Sequence, residues 1–286
     1  MEKLGVQIMR KDLSKFTAAI LAVLVCLIAF PSIPAWAETP VPGGQAENAL
    51  RVSGELFQPS EDAMADLADA RETGLRSGKR ILLVMGANWC HDSRALASRL
   101  YQEPLKSLVD EHYELVFVDV GYLDKGGDVI SSIGPPVYYA TPTVLIIDPA
   151  SGRLVNDGNR HQWGNAYSIN MEDSLRYFDQ MAVLQTPSEP QGEELVLLLA
   201  EIDEFEQVQA QRLYRAYGVV GPMLRAYKEG NAPQNFEESW NEVRDFRMQL
   251  AVDIEELRAE ALTRVAAGET GIQLAYPEYP EFSTFP

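Results

Sequence analysis

The chain is poor in cysteine and in basic residues. Its 286 residues include two cysteines, and 24 lysines and arginines stand against 42 aspartates and glutamates, giving a net charge of −18. Two cysteines exclude a framework of several disulfides. So negative a chain makes nucleic acid and anionic membrane surfaces poor partners, and we interpret its acidity as a source of solubility.

The apolar run near the start is too short for a typical membrane-spanning helix. It covers residues 16–30 and stops before Pro31, whereas a spanning helix needs about 20 apolar residues. Basic residues precede this run, and the small-x-small sequence 35–37 follows it. We therefore interpret residues 1–37 as a signal peptide, which is removed and directs the protein to the periplasm or the exterior. A retained membrane anchor is the alternative.

Removal of the signal peptide would leave a single cysteine. Cys26 leaves with it, and Cys90 remains in a chain of 20 basic and 40 acidic residues. One cysteine cannot form an internal disulfide. Cys90 is therefore a buried cysteine without a chemical role, a partner in an intermolecular disulfide, or a reactive thiol.

What the sequence does contain is a buried strand followed by a helix around Cys90. Ile81 to Met85 are apolar, which is typical of a strand buried on both faces, and residues 86–89 predict a turn. Cys90 then lies at a helix N-terminus. Unpaired N–H groups and the helix dipole favour a thiolate there, so Cys90 is a candidate nucleophile.

Two motifs resemble those of the thioredoxin family. Gly86-Ala87-Asn88-Trp89-Cys90-His91-Asp92-Ser93-Arg94 resembles the active-site loop in which Trp-Cys-x-x-Cys opens the second helix, with Ser93 in place of the second cysteine. The sequence 140–148, with Thr141-Pro142, resembles the loop and strand that carry the cis-proline. The resemblance implies a thioredoxin-like α/β fold, with a central mixed sheet flanked by helices and a cis Thr141–Pro142 bond facing Cys90.

The resemblance also implies a chemistry that lacks one step. In the family the first cysteine attacks a disulfide and the second resolves the product. A serine hydroxyl is not ionised near neutral pH, so Ser93 cannot resolve a mixed disulfide, and we expect it to donate a hydrogen bond to the Cys90 thiolate. An external thiol would complete the exchange. The predicted activity is monothiol exchange or isomerisation on exported proteins that carry cysteines or disulfides.

The resemblance assigns the roles of the site residues. It gives catalytic roles to Cys90 and Ser93, and substrate-binding roles to Trp89, His91, Thr141 and Pro142. His91 either modulates the thiolate or is an exposed residue without a role. Asp92 is expected to oppose the thiolate unless it caps the helix or pairs with Arg94. No metal and no cofactor are expected, because the histidines and Cys90 lack the spacing of metal ligands. The oligomeric state is open.

A different class of function is the alternative. The thioredoxin fold would then be a non-catalytic binding or chaperone-like module that uses the cis-proline groove and the helical region.

Composition and periodicity divide the chain further. We expect a flexible leader at 38–54, the thioredoxin-like domain at 55–184, a linker at 185–192, a helical hairpin at 193–267 and an extended tail at 268–286. Two amphipathic stripes around a break at 230–233, the second of which includes Trp240 and Phe246, predict a hairpin that packs on itself or on the first domain. A dimerising coiled coil is the alternative. The tail aromatics either dock in a groove or are disordered.

Three local predictions concern the first domain. Ser60 is expected to cap the first helix. Residues 153–155 are expected to pair as an edge strand. Residues 156–170 are expected to form a polar loop before the last helix of the domain.

Overall fold

The structure is a computed structural model that describes residues 56–160 and 162–285. The predicted signal peptide and leader lie outside the described residues. The elements, in order, are α1 (Ala63–Ser77), β1 (Arg80–Gly86), α2 (His91–Leu100), α3 (Leu105–His112), β2 (Tyr113–Asp119), α4 (Gly127–Ile133), β3 (Thr143–Ile147), α5 (Met171–Val183), α6 (Glu193–Lys228) and α7 (Phe236–Ala266).

Strand β1 is the centre of a three-stranded mixed sheet. It pairs in parallel with β2 and antiparallel with β3. Its side chains alternate between two apolar clusters, with Leu83 and Met85 in one and Leu82 and Val84 in the other. Both faces are therefore buried, as the unbroken apolar run predicts.

Glycine and an acidic cap define the ends of α1. Gly78 ends the helix with φ 73°, in the left-handed region that glycine adopts without strain. The expected N-cap at Ser60 is wrong, because Asp62 is the cap and its carboxylate accepts a hydrogen bond from the Ala65 N–H at 2.9 Å. Ser60 instead accepts from the Asp62 N–H.

The expected edge strand at 153–155 is present only as a short pairing. Leu154 forms one isolated antiparallel bridge to Ile147, with the Asp148 N–H donating to the Arg153 carbonyl at 2.9 Å and the Val155 N–H donating to the Ile146 carbonyl at 2.7 Å. The Asn156 side chain takes over the pairing, accepting from the Ile146 N–H and donating to the Val144 carbonyl, both at 2.8 Å. This amide satisfies the edge of β3 that a further strand would have covered.

The segment 156–170 is more ordered than a polar loop. It contains 3₁₀ turns at Asp157–Asn159 and within Gln162–Ser168, where the backbone kinks at Asn165. Trp163 is fully buried and stacks on Phe178 of α5 with ring centroids 5.0 Å apart. A single tryptophan thus fixes an otherwise polar segment against the domain.

Helices α6 and α7 form the predicted antiparallel hairpin and share a core with the sheet. Their buried residues belong to the same cluster as Leu83 and Met85. Gly221 of α6 lies so close to the backbone of the first domain that a Cβ there would be 2.2 Å from the Tyr122 carbonyl oxygen. Among the helices described, none combines the length and apolar character needed to cross a bilayer.

The chain after α7 has no helix or strand in its described part and packs on the hairpin. The Arg212 guanidinium lies over the rings of Phe246 and Phe282, 4.7 Å from each centroid. Glu242 accepts hydrogen bonds from the backbone N–H and the hydroxyl of both Ser283 and Thr284. Burial opposes ionisation of Glu242, but these four bonds outweigh it and lower its pKa to about 2.

Candidate thiol site

A tight turn positions Cys90 at the start of α2. The Cys90 N–H donates to the Ala87 carbonyl at 3.1 Å, and Cys90 is the N-cap residue. Gly86, the last residue of β1, permits this turn, since a Cβ there would lie 2.7 Å from both the Phe57 ring and Ser93 Oγ. The sulfur therefore lies at the positive end of a helix, as the strand–turn–helix pattern predicts.

The cis-proline loop holds the sulfur from the other side. The Thr141–Pro142 peptide bond is cis, as the resemblance implies. The Cys90 thiol donates to the Thr141 carbonyl oxygen at 3.1 Å, and the Thr141 hydroxyl donates to Cys90 Sγ at 3.5 Å. Cys90 is 8% exposed.

Ser93 does not make the expected contact with Cys90 in this structure. Its Oγ is fully buried and has no hydrogen-bond partner among the described residues. The Cys90 thiol is directed to Thr141 instead, so the neighbouring hydroxyl comes from the cis-proline loop rather than from the next turn of α2.

Trp89 and His91 flank the cysteine. Trp89 Nε1 donates to the Gly121 carbonyl at 2.6 Å, which fixes the indole beside the site. His91 is exposed, and its Nε2 lies 3.1 Å from Asp92 Oδ2. The other Asp92 oxygen accepts from the Tyr167 N–H at 2.9 Å. Asp92 thus pairs with His91 and not with Arg94, and its side chain does not cap α2.

The hairpin forms the opposite wall of the site. A cleft of about 1150 Å³ lies between the thiol loop and the helices. Of the predicted site residues, Trp89, Cys90, His91 and Thr141 line it, whereas Ser93 and Pro142 are buried and do not. Across the cleft, the ring of Trp240 in α7 meets the ring of Trp89 edge to face at 6.3 Å.

Sequence reasoning left this wall open, because the hairpin was expected to pack either on itself or on the first domain. Trp240 belongs to the predicted apolar stripe, but the stripe carries no information about which element it faces. The stripe includes residues that pack inside the hairpin and residues that line the cleft beside the thiol loop.

A buried acid connects the hairpin to the cis-proline loop. Glu206 of α6 is 1% exposed and accepts from the Tyr139 hydroxyl at 2.6 Å and from Arg258 of α7 at 2.9 Å. Arg160 lies 3.7 Å from the same carboxylate. Burial, with the adjacent Glu206, raises the pKa of Tyr139, so this hydroxyl stays protonated and donates.

Metal ligands are not grouped in this part of the protein. Within residues 56–160 and 162–285, no cluster of three or more histidines, cysteines or acids has the arrangement of a metal site.

A mixed sheet flanked by helices, with a cysteine at a helix N-terminus facing a cis-proline, defines the thioredoxin-like class of folds. Residues 62–149 match a family model described as thioredoxin-like. The match includes both the cysteine loop and the cis-proline loop and does not extend to the hairpin.

Two further comparisons complete this finding. The crystal structure of a disulphide isomerase from Xylella fastidiosa Temecula1 is similar to the chain with 27% sequence identity and a TM-score of 0.41. It covers 45% of this chain and 98% of its own. The comparison with curated proteins gave no significant match.

Proposed function

We propose that the protein carries out thiol–disulfide exchange through Cys90 as its single reactive thiol. The contact between Cys90 Sγ and Thr141 carries this proposal, because it positions a helix N-terminal sulfur beside a cis-proline and at the wall of an open cleft. The match of residues 62–149 to a thioredoxin-like family model supports the same chemistry.

The exchange has two steps and uses an outside thiol. The Cys90 thiolate attacks one sulfur of a client disulfide, so a Cys90–client bond forms and the other client sulfur leaves as a thiolate. An external thiolate, or a second client thiol, then attacks the mixed disulfide and restores Cys90. The Thr141 hydroxyl stabilises the ionised sulfur as a hydrogen-bond donor.

The clients in this proposal are exported proteins with cysteines or disulfides. The support is the pattern of residues 1–37, which is typical of a signal peptide. N-terminal sequencing of the protein from the periplasmic or secreted fraction tests it. A mature chain that begins after residue 37 is the expected result, and an intact N-terminus in a membrane fraction contradicts it.

Trapping of mixed disulfides tests the exchange itself. Cells are quenched with acid to stop exchange, and their free thiols are then alkylated. Non-reducing electrophoresis should reveal mixed disulfides between this protein and its clients, and these should disappear in Cys90→Ser. Thr141→Val removes the hydroxyl beside the sulfur, and we expect it to slow alkylation of Cys90 several-fold at neutral pH. Thr143→Val is the matched control, since the Thr143 hydroxyl donates to the Ala140 carbonyl and not to sulfur.

Restoring the missing cysteine tests the assignment of the motif. Ser93→Cys should gain dithiol reductase activity on insulin, because a thiol at this position of α2 can attack the mixed disulfide. Ser174→Cys introduces a thiol at another fully buried serine, in α5, and should gain none. A folded Ser93→Cys protein without reductase activity would contradict the idea that one residue separates this site from a dithiol site.

A second candidate is the non-catalytic binding module. The 8% exposure of Cys90 and the Trp240 wall favour it, since both restrict access to the sulfur. In this case Cys90 alkylates no faster than a free cysteine and no adducts accumulate. The trapping experiment therefore separates the two candidates.

A further inference from the structure

Arg247 of α7 carries a buried charge without a counter-ion among the described residues. It is 8% exposed, and its Nε and Nη1 have no hydrogen-bond partner in the described chain. Its guanidinium lies 5.3 Å from the centroid of the Trp240 ring, and its polar neighbours include the neutral hydroxyls of Tyr217 and Tyr138. A desolvated cation of this kind is costly unless an anion pairs with it.

Arg247 lines the same cleft as Cys90. The Arg247 guanidinium lies over Trp240, and Trp240 meets Trp89, the residue before the cysteine. Two ring contacts therefore connect the unpaired charge to the thiol loop.

Of the three acids that line this cleft, Asp92 and Asp245 already have partners close by, and Glu237 is the exception. Asp92 is paired with His91 and bonded to a backbone N–H, and Asp245 accepts two hydrogen bonds from Arg244. Glu237 is exposed. The lining carries as many lysines and arginines as acids, whereas the whole chain has 24 against 42. The cleft is thus much less repulsive to an anion than the rest of the protein.

We propose that Arg247 is the carboxylate-binding residue of this cleft and holds a small acidic thiol or disulfide while it exchanges with Cys90. This inference rests on the proposed function and names the class of its external thiol. The cleft has room for a small ligand, and the 8% exposure of the sulfur disfavours a folded client as the usual occupant. A planar guanidinium matches the two oxygens of a carboxylate.

The reaction balances without a further reactant. The Cys90 thiolate attacks one sulfur of an acidic disulfide R–S–S–R, the Cys90–S–S–R bond forms, and R–S⁻ leaves. In the recycling direction R–S⁻ attacks Cys90 in its mixed disulfide with a client, and the client thiolate leaves.

Three small disulfides of similar size and different charge test the inference. They are dithiodipropionate, which is anionic, hydroxyethyl disulfide, which is neutral, and cystamine, which is cationic. The rate of Cys90 mixed-disulfide formation is measured by mass spectrometry on the full chain at low ionic strength. We expect dithiodipropionate to react about tenfold faster than hydroxyethyl disulfide, which corresponds to about 1.4 kcal/mol. The net charge alone predicts the opposite order, with cystamine fastest.

Variants of Arg247 assign the preference to that residue. Arg247→Met keeps an apolar stem over Trp240 and should abolish the anionic preference, whereas Arg247→Lys should keep part of it. Arg244→Met removes a neighbouring cation that Asp245 already pairs, and should leave the preference in place.

The outcomes separate the two proposals. An anionic preference that persists in a folded Arg247→Met protein overturns the role of Arg247, as does equal reactivity of the three disulfides with the unaltered chain. Faster reaction with an acidic peptide disulfide than with dithiodipropionate makes a client the occupant and overturns the small-thiol assignment. Failure of Cys90 to react with any disulfide refutes the proposed function instead.

Discussion

Replacing Ser93 by alanine should stabilise the protein. The Ser93 hydroxyl is fully buried without a hydrogen-bond partner in the described chain, so folding strips it of water and gives nothing in return. An unsatisfied buried group of this kind costs about 1–3 kcal/mol. Alanine removes the cost and leaves a space of roughly 15–20 Å³, which at about 24 cal/mol per Å³ costs about 0.4 kcal/mol. We therefore expect a net gain of about 1 kcal/mol in the free energy of unfolding.

Urea titration of the reduced protein measures this change. The midpoint should rise while the slope of the transition stays the same. Ser174→Ala is the matched control, because Ser174 is also fully buried but its hydroxyl donates to the Asn170 carbonyl at 2.7 Å. Ser174→Ala should lower the free energy of unfolding by about 1 kcal/mol. If Ser93→Ala were destabilising by as much as Ser174→Ala, the Ser93 hydroxyl would be bonded in solution and the reasoning would be refuted.

Three further predictions concern the hairpin and the tail. Gly221→Ala should lower the free energy of unfolding by about 1–3 kcal/mol and expose Cys90 to alkylation, because a Cβ there meets the Tyr122 carbonyl. Gly218→Ala is the control. It lies in open space on the same helix and should raise the free energy of unfolding by up to about 1 kcal/mol. Glu206→Gln should cost about 1–3 kcal/mol in thermal or urea unfolding, because Arg258 keeps its ion pair with Asp203 but loses the buried carboxylate. The Glu242 pKa is lowered to about 2, so its contribution is full above about pH 4.5 and is lost as the pH falls towards 2. Limited proteolysis should release the tail in that window, and Glu242→Gln should release it at neutral pH.

The sequence predicts the first domain well where local chemistry decides the structure. Ile81 to Met85 have the length and composition of a strand buried on both faces, and the turn of Gly86 leads directly to Cys90 at a helix start. The motif around Thr141–Pro142 predicts a cis bond that no propensity would indicate.

The remaining features depend on contacts between distant segments. Asn156 continues a short edge pairing with its side chain, and polar neighbours conceal the burial of Trp163. Arg247 lies in α7 beside Phe246 of the apolar stripe, and periodicity alone predicts a solvated arginine there. Its burial follows from how the hairpin packs on the sheet, which a helical stripe does not specify.

The apolar cluster shared by β1, α6 and α7 has a consequence for cooperativity. Since the hairpin covers one face of the sheet, the thioredoxin-like segment and the hairpin should unfold together, and neither should stay folded without the other. Calorimetry should therefore show a single transition with equal van't Hoff and calorimetric enthalpies, although the sequence predicts a thioredoxin-like domain and a separate hairpin. Expressing residues 62–149 alone would expose the apolar surface that the hairpin covers, and the fragment should aggregate rather than act as a minimal oxidoreductase.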